Sequence, residues 1–191
     1  MDNCTEKGAA GSRTVEWEGR LMRRERLTHT FGPVFDGRSR ILILGSFPSV
    51  LSRAEGFYYG NPRNRFWNVM AILTDRPVPK DRAEKEALLL ESGAALWDVL
   101  GECAIEGSSD ASIRGEKPND LMTVLGAAPV ERIFLNGAAA DRLYRKHLAG
   151  GIGLPAVRLP STSPANAAWS LERLAAAWTE AGVGELLRRG V

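Results

Sequence analysis

Polar side chains able to do chemistry fall at the ends of short apolar runs in this 191-residue chain. Ser46 and Phe47 follow Ile41-Leu42-Ile43-Leu44-Gly45 and open a polar, aromatic loop. That loop carries Tyr59 and ends at Asn64, in Pro62-Arg63-Asn64-Arg65-Phe66-Trp67. Asp98 follows Ala94-Ala95-Leu96-Trp97, and Asn136 closes Glu131 to Leu135. Ser161-Thr162-Ser163 comes just after Pro155 to Leu159. This last loop leads into a predicted helix, and a helix N-terminus with three hydroxyls suits a phosphate. Each residue also has a plain structural reading. Asn64 suits a helix N-cap and Tyr59 a core aromatic. Asp98 suits a cap or an ion pair, and Asn136 a turn before Gly137. Ser163 suits an ordinary N-cap with Pro164 at the first helical position.

Familiar catalytic signatures are missing. Gly45-Ser46-Phe47-Pro48 lacks the closing Gly-Lys-Ser/Thr of a P-loop, no GxGxxG follows a strand, and there is no GxSxG elbow. The two histidines, His29 and His147, have no nucleophile near them in sequence. His147, near a helix end, reads as a dipole partner rather than a base. Cys4 and Cys103 are too few for a four-cysteine zinc or iron–sulfur site. No metal and no cofactor is expected.

The elements that must hold these residues are strands alternating with helices. Four strands are predicted: Ile41–Leu44, Ala94–Leu100, Glu131–Asn136 and Pro155–Leu159. Each is short and apolar, as buried parallel strands are. Helices are predicted over Asn64–Thr74, Lys80–Glu91, Leu121–Leu125, Ala138–His147 and Pro164–Ala181. Residues Gly101–Asn119, rich in Gly, Ser and Asp, read as loop. The fold class is α/β: a three-layer α/β/α sandwich on a short, mainly parallel four-stranded central sheet. In such sheets ligands bind outside the carboxyl ends of the strands.

Composition sets the remaining bounds. The chain is 44% apolar and 25% charged, with net charge +2, so bulk basicity does not announce nucleic acid. Residues 27–191 read as one domain, preceded by a flexible or appended segment over 1–26. Arg23, Arg24 and Arg26 in that segment read as a solvated turn or as phosphate contacts. No apolar run approaches the roughly 20 residues that span a membrane. MDNCTEKGAAGSR lacks the apolar core of a signal peptide. A monomer in a reducing cytoplasm is expected.

The phrases GSFPS, YYGNPRNRFW, LWDVL and LPSTSPAN, with Asn136-Gly137 after a strand, resemble the uracil-DNA glycosylase superfamily in order and spacing. Within it they resemble most the hypoxanthine-DNA (deoxyinosine) glycosylase family, over about Gly32 to Ala181. The mismatch-specific uracil glycosylases share a similar Pro-x-Asn-Arg-Phe-Trp segment. The resemblance implies base-excision repair: a deaminated base, hypoxanthine first, is flipped from DNA and its N-glycosidic bond hydrolysed, leaving an abasic site. Asn64 matches the asparagine that holds the attacking water, with Ser46 in the water-holding loop. Phe47, Tyr59, Asp98 and Asn136 match base-contacting positions. Tyr59 would stack on the base, and Asp98 would accept from N1–H of hypoxanthine. Ser161, Thr162 and Ser163 match the loop that grips the DNA backbone. No lysine in these phrases offers a Schiff base, so no strand cleavage is expected.

Three departures qualify the resemblance. Ser46-Phe47-Pro48 stands where the superfamily usually has Asp or Asn. Asn61 replaces a histidine, and the closing motif's histidine is replaced within Leu159–Thr162. These argue against strong classical uracil activity and favour a purine leaving group, which can be protonated at N7. Other readings remain open: a uracil or xanthine glycosylase at mismatches, or a non-catalytic nucleic-acid-binding module on the same fold. A hydrolase of free nucleosides is disfavoured, because the phosphate features would be idle.

Overall fold

The four aliphatic runs are strands in the computed structural model, which describes residues 25–106 and 109–188. They are β2 (Ile41–Gly45), β3 (Ala94–Asp98), β6 (Arg132–Asn136) and β7 (Ala156–Leu159). The sheet order is β3-β2-β6-β7, all parallel. Ile41, Leu42, Ile43 and Leu44 are fully buried, as a strand covered on both faces must be. The expected fold class is the observed one.

Between β2 and β3 the chain forms α1 (Val50–Glu55), α2 (Phe66–Thr74) and α3 (Arg82–Glu91). Between β6 and β7 it forms α5 (Ala138–His147), and after β7 come α6 (Leu171–Glu180) and α7 (Val183–Arg188). The β2-to-β3 and β6-to-β7 crossovers run in opposite directions across the sheet. The right-handed rule for such crossovers puts their helices on opposite faces. Helices α6 and α7 pack against α2 and complete its layer. The direction of winding changes beside β2, which makes the carboxyl end of β2 a topological switch point.

Caps agree with sequence. The Asp81 side chain accepts from Glu84 N at 2.9 Å and the Glu84 side chain accepts from Lys80 N at 2.7 Å, a reciprocal start to α3. Ser49 caps α1, and Gly56 ends it in the left-handed region. Helix α1 lies inside the stretch expected to be loop.

Two further expectations are corrected. Residues 101–119 are not simply loop. They hold most of β4 (Leu100–Ile105), the one-turn 3-10 helix Asp110–Ser112, and β5 (Arg114–Pro118); α4 (Met122–Leu125) follows. With β1 (Glu25–Thr28) they form a second, antiparallel sheet ordered β1-β4-β5. The expected strand Ala94–Leu100 therefore ends at Asp98, and the chain passes through Val99 into β4. The expected segment over 1–26 lies outside the described residues except for Glu25 and Arg26, which begin β1. Arg26 pairs with Glu102 on β4.

The last long helix begins at Leu171, not Pro164, and its N-cap is Ser170, not Ser163. The reason is Arg65. Its guanidinium donates to the carbonyls of Ser163 (2.7 Å), Asn166 (3.1 Å) and Trp169. Helical carbonyls would be turned along the axis toward their own chain, so a loop held this way cannot be helix. The phosphate site expected at a helix start after Ser163 is accordingly not formed.

Candidate active site

A pocket of about 220 Å³ opens at the carboxyl edge of the sheet. Gly45 at the end of β2, Ser46 just after it, Asp98 from β3, Asn136 from β6 and Ser161–Ser163 after β7 line it. Tyr59, Asn61 and Asn64 come from the β2–α2 connection, and Asp110 from the β4–β5 connection. The register explains the convergence, since Gly45 pairs with Asp98 and Asn136 with Leu159. The strands therefore end at one level, with Asp98 and Asn136 as last residues of β3 and β6 and Ser46 and Ser161 just beyond β2 and β7.

Tyr59 forms one wall. Its ring stacks on Phe66 with centroids 3.9 Å apart and planes 16° from parallel. Its backbone is left-handed, φ 52°, a conformation that costs an ordinary residue free energy. Burial and then the nearby Asp98 raise its hydroxyl above the usual tyrosine range, so it stays a neutral phenol. Tyr58 turns the other way, into the core, where its hydroxyl donates to Gly32 O at 2.8 Å.

Asn136 acts as a clip. Its Nδ2 donates to Tyr59 Oη (2.9 Å) and Thr162 Oγ1 (3.0 Å), and its Oδ1 accepts from Thr162 N (3.1 Å). Thr162 is 0% exposed. The expected backbone-phosphate contact from Thr162 is therefore corrected: its hydroxyl is sealed inside and bonded to Asn136. Ser161 and Ser163 remain partly exposed on the pocket wall. Gly137, with φ 102°, allows the loop to close, because a Cβ there would come within 2.9 Å of Ser161 Cβ.

Asn64 borders the pocket half-buried. Its Oδ1 accepts from Phe66 N at 3.0 Å, an Asx turn across Arg65; Arg65 and not Asn64 is the N-cap of α2, so the expected cap is corrected by one residue. An amide oxygen has a second lone pair, which leaves room for a water. Arg65, beside it, ties the start of α2 to the 162–169 loop, with its own N–H donating to Thr162 O at 3.1 Å.

Ser46 Oγ donates to Asp110 Oδ1 at 2.7 Å. Asp110 keeps part of its surface open to solvent, and its carboxyl is raised above the ordinary range, first by desolvation, against the Ser46 hydrogen bond, with Asp98 adding to the effect. Phe47 is buried beneath the pocket, with Arg53 over its ring at 5.8 Å. Asp98 is held by His29, whose Nε2 lies 2.9 Å from Oδ2. His147 sits in the last turn of α5, as expected. Among the described residues no cluster of His, Cys, Asp or Glu has the makings of a metal site.

The site thus joins Ser46, Phe47, Tyr59, Asn64, Asp98, Asn136 and the Ser161–Ser163 loop. Sequence reasoning missed Arg65, Asp110 and His29. Arg65 stood in a noted phrase without a role, and Asp110 and His29 gave no local signal.

A polar pocket at the switch point of a parallel sheet is thus walled by a stacked tyrosine and by an asparagine just before a helix. The family model described as "Uracil DNA glycosylase superfamily" matches residues 33–182. The chain belongs to this superfamily. It is 35% identical over 145 residues to a hypoxanthine DNA glycosylase of Methanosarcina acetivorans, covering 75% of this chain and 90% of that one. It is 30% identical over 152 residues to a hypoxanthine DNA glycosylase of Methanosarcina barkeri, covering 79% and 95%. A solution NMR structure of a candidate uracil DNA glycosylase from M. acetivorans superposes with a TM-score of 0.69 at 33% identity, covering 84% of this chain and 96% of that one. Among the described residues no helix is long and apolar enough to cross a membrane.

Proposed function

We propose that this protein is a monofunctional DNA glycosylase of base-excision repair that removes hypoxanthine from DNA. The carrying observation is that Tyr59, Asn64 and Asp98 border one pocket at the switch point, in a chain whose similar relatives bear the name hypoxanthine DNA glycosylase. The deoxynucleotide is flipped out of the stack and its base slides against the free face of Tyr59. Asp98 accepts from N1–H. The bond from C1′ to N9 breaks with its electron pair going to the purine, leaving oxocarbenium character on the sugar. A water held by Asn64 Oδ1 attacks C1′. Two carboxylates line the pocket; Asp98 is engaged by His29, so Asp110 takes the proton that the water gives up. The departing purine takes a proton from solvent at N7 or N9, and the products are free base and an abasic site.

Asn136 serves by fastening Tyr59 to the Thr162 loop, since its amide groups are already committed. Ser161, Ser163, the exposed Arg63 and Arg158 on the adjacent edge meet the DNA backbone. The protein acts as a monomer in the cytoplasm without metal or cofactor.

Duplex oligonucleotides carrying one hypoxanthine, uracil or xanthine test the reading, with alkali revealing abasic sites. Release of hypoxanthine, lost in Asn64→Ala, is the expected result. Release of uracil alone overturns the substrate. Binding without release from any duplex or single strand overturns the activity.

A further inference from the structure

His29 follows β1 and extends its pairing with β4, its N–H donating to Gly101 O at 2.7 Å. This turns the imidazole back under the end of β3. Nε2 lies 2.9 Å from Asp98 Oδ2, and the two side chains are only 3% and 8% exposed. Aromatic rings surround the rest of the imidazole: Phe31 at 4.5 Å, Tyr58 at 5.9 Å and Phe47 at 6.1 Å between centroids. Nδ1 is buried without a hydrogen-bond partner.

These surroundings choose between the two neutral tautomers. With the proton on Nε2, the ring donates to the carboxylate and leaves a bare lone pair among aromatic rings. With the proton on Nδ1, an N–H is buried unpaired and two acceptors, Nε2 and Oδ2, face each other. An unmet donor plus opposed acceptors is the costlier arrangement.

The other oxygen of Asp98 is equally constrained. A Cβ on Gly45 would fall 2.2 Å from Asp98 Oδ1 and 3.5 Å from Tyr59 Oη. Oδ1 therefore rests over Gly45 in the pocket that Asp98 lines. No described residue donates a hydrogen bond to it.

We propose that His29 is a positioning residue for base choice: by donating Nε2–H to Oδ2 it fixes Asp98 as an acceptor toward the pocket, so that a base is read by a ring N–H. Hypoxanthine presents N1–H and is accepted. Adenine presents a lone pair at N1 and is repelled by the carboxylate. The inference rests on the reading that Asp98 meets the base.

His29→Phe keeps an aromatic ring and removes the donor. Single-turnover release of hypoxanthine, measured across protein concentration, is expected to fall about 10- to 100-fold at saturation, the loss of one hydrogen bond to a charged group. The half-saturating concentration for undamaged duplex should not move. His29→Gln, whose amide N–H can reach for Oδ2, should recover part of the rate. An unchanged saturating rate in His29→Phe overturns the proposal. Nitrogen-15 NMR of the wild-type imidazole tests the pairing without any substitution: a proton on Nε2 is expected, and a ring whose single proton sits on Nδ1 overturns it. If the wild-type protein releases no hypoxanthine, the substrate reading fails, while the tautomer measurement still judges the His29–Asp98 pair.

Discussion

Asn136 Nδ2 lies 2.9 Å from Tyr59 Oη and 3.0 Å from Thr162 Oγ1, so one amide joins the stacking wall of the pocket to the loop that closes it. Asn136→Ala removes three hydrogen bonds at once and leaves the buried Thr162 hydroxyl unmatched. At about 1 kcal/mol each, the expected loss is about 2–3 kcal/mol in urea unfolding. In Asn136→Asp both hydroxyls can turn to donate and Thr162 N keeps its acceptor, so the loss should be smaller than in Asn136→Ala and come from desolvating a charge beside Asp98. A loss under 0.5 kcal/mol in Asn136→Ala, on the order of what surface substitutions give, would show that the clip is not what fixes the wall.

Arg65→Lys keeps the charge and loses the fork. The guanidinium serves the carbonyls of Ser163, Asn166 and Trp169 from one planar group, which an ammonium cannot reproduce. The variant should become sensitive to limited proteolysis within residues 162–169, while the core around β2 keeps its protection in hydrogen exchange. Unchanged proteolysis would mean that the Trp178 Nε1 bond to Pro160 O, at 3.1 Å, suffices to hold the loop.

The parts of this molecule that were legible in the sequence are those whose signal is local. Ile41–Leu44 and Ile133–Leu135 announce buried strands by their own composition, and Ser46, Asp98 and Asn136 follow from where such strands stop. The second sheet was not legible. Its strands are short, β5 is mostly exposed (Arg-Gly-Glu-Lys-Pro), and β1 finds its partner across more than 70 residues, Leu27 opposite Cys103. His29 and Asp110 reach the site only through that sheet and its connections, so no spacing rule could place them there. The helix expected from Pro164 failed for a related reason: Pro at a helix start is a sound local signal, but Arg65, about a hundred residues away, claims the carbonyls.

Asn64 has two roles that one substitution can separate. As the acceptor of Phe66 N in the Asx turn that leads into α2, its removal costs about 1 kcal/mol of stability, the worth of one hydrogen bond. As the holder of the attacking water its removal misplaces a reactant, and the rate should fall about 100-fold or more. Asn64→Ala should therefore unfold at slightly lower urea, bind a hypoxanthine duplex normally, and release almost no base. Asn64→Ser, a comparable acceptor for Phe66 N, should regain the stability without regaining the rate. Recovery of both together would reduce Asn64 to its turn.

Asp110 ties stability to pH and activity to the same group. Its carboxyl is raised above the ordinary range, first by desolvation and then by Asp98, against the hydrogen bond from Ser46. Between the ordinary and the raised value the folded protein therefore holds more proton on Asp110 than the unfolded chain does. Stability falls as pH rises from the ordinary carboxylate range through the raised value, and stays lower above it. Asp110→Asn keeps an acceptor for Ser46 and has no charge to desolvate. Its unfolding temperature should exceed that of the wild type at pH 7, with the gap closing as pH drops below the ordinary aspartate value. Base release should respond oppositely. If Asp110 takes the proton from water, the wild-type rate declines on the acid side as Asp110 becomes protonated, and Asp110→Asn is slow throughout with that acid limb gone. A variant that is both more stable at pH 7 and fully active would free Asp110 from the chemistry and leave it a partner of Ser46 alone.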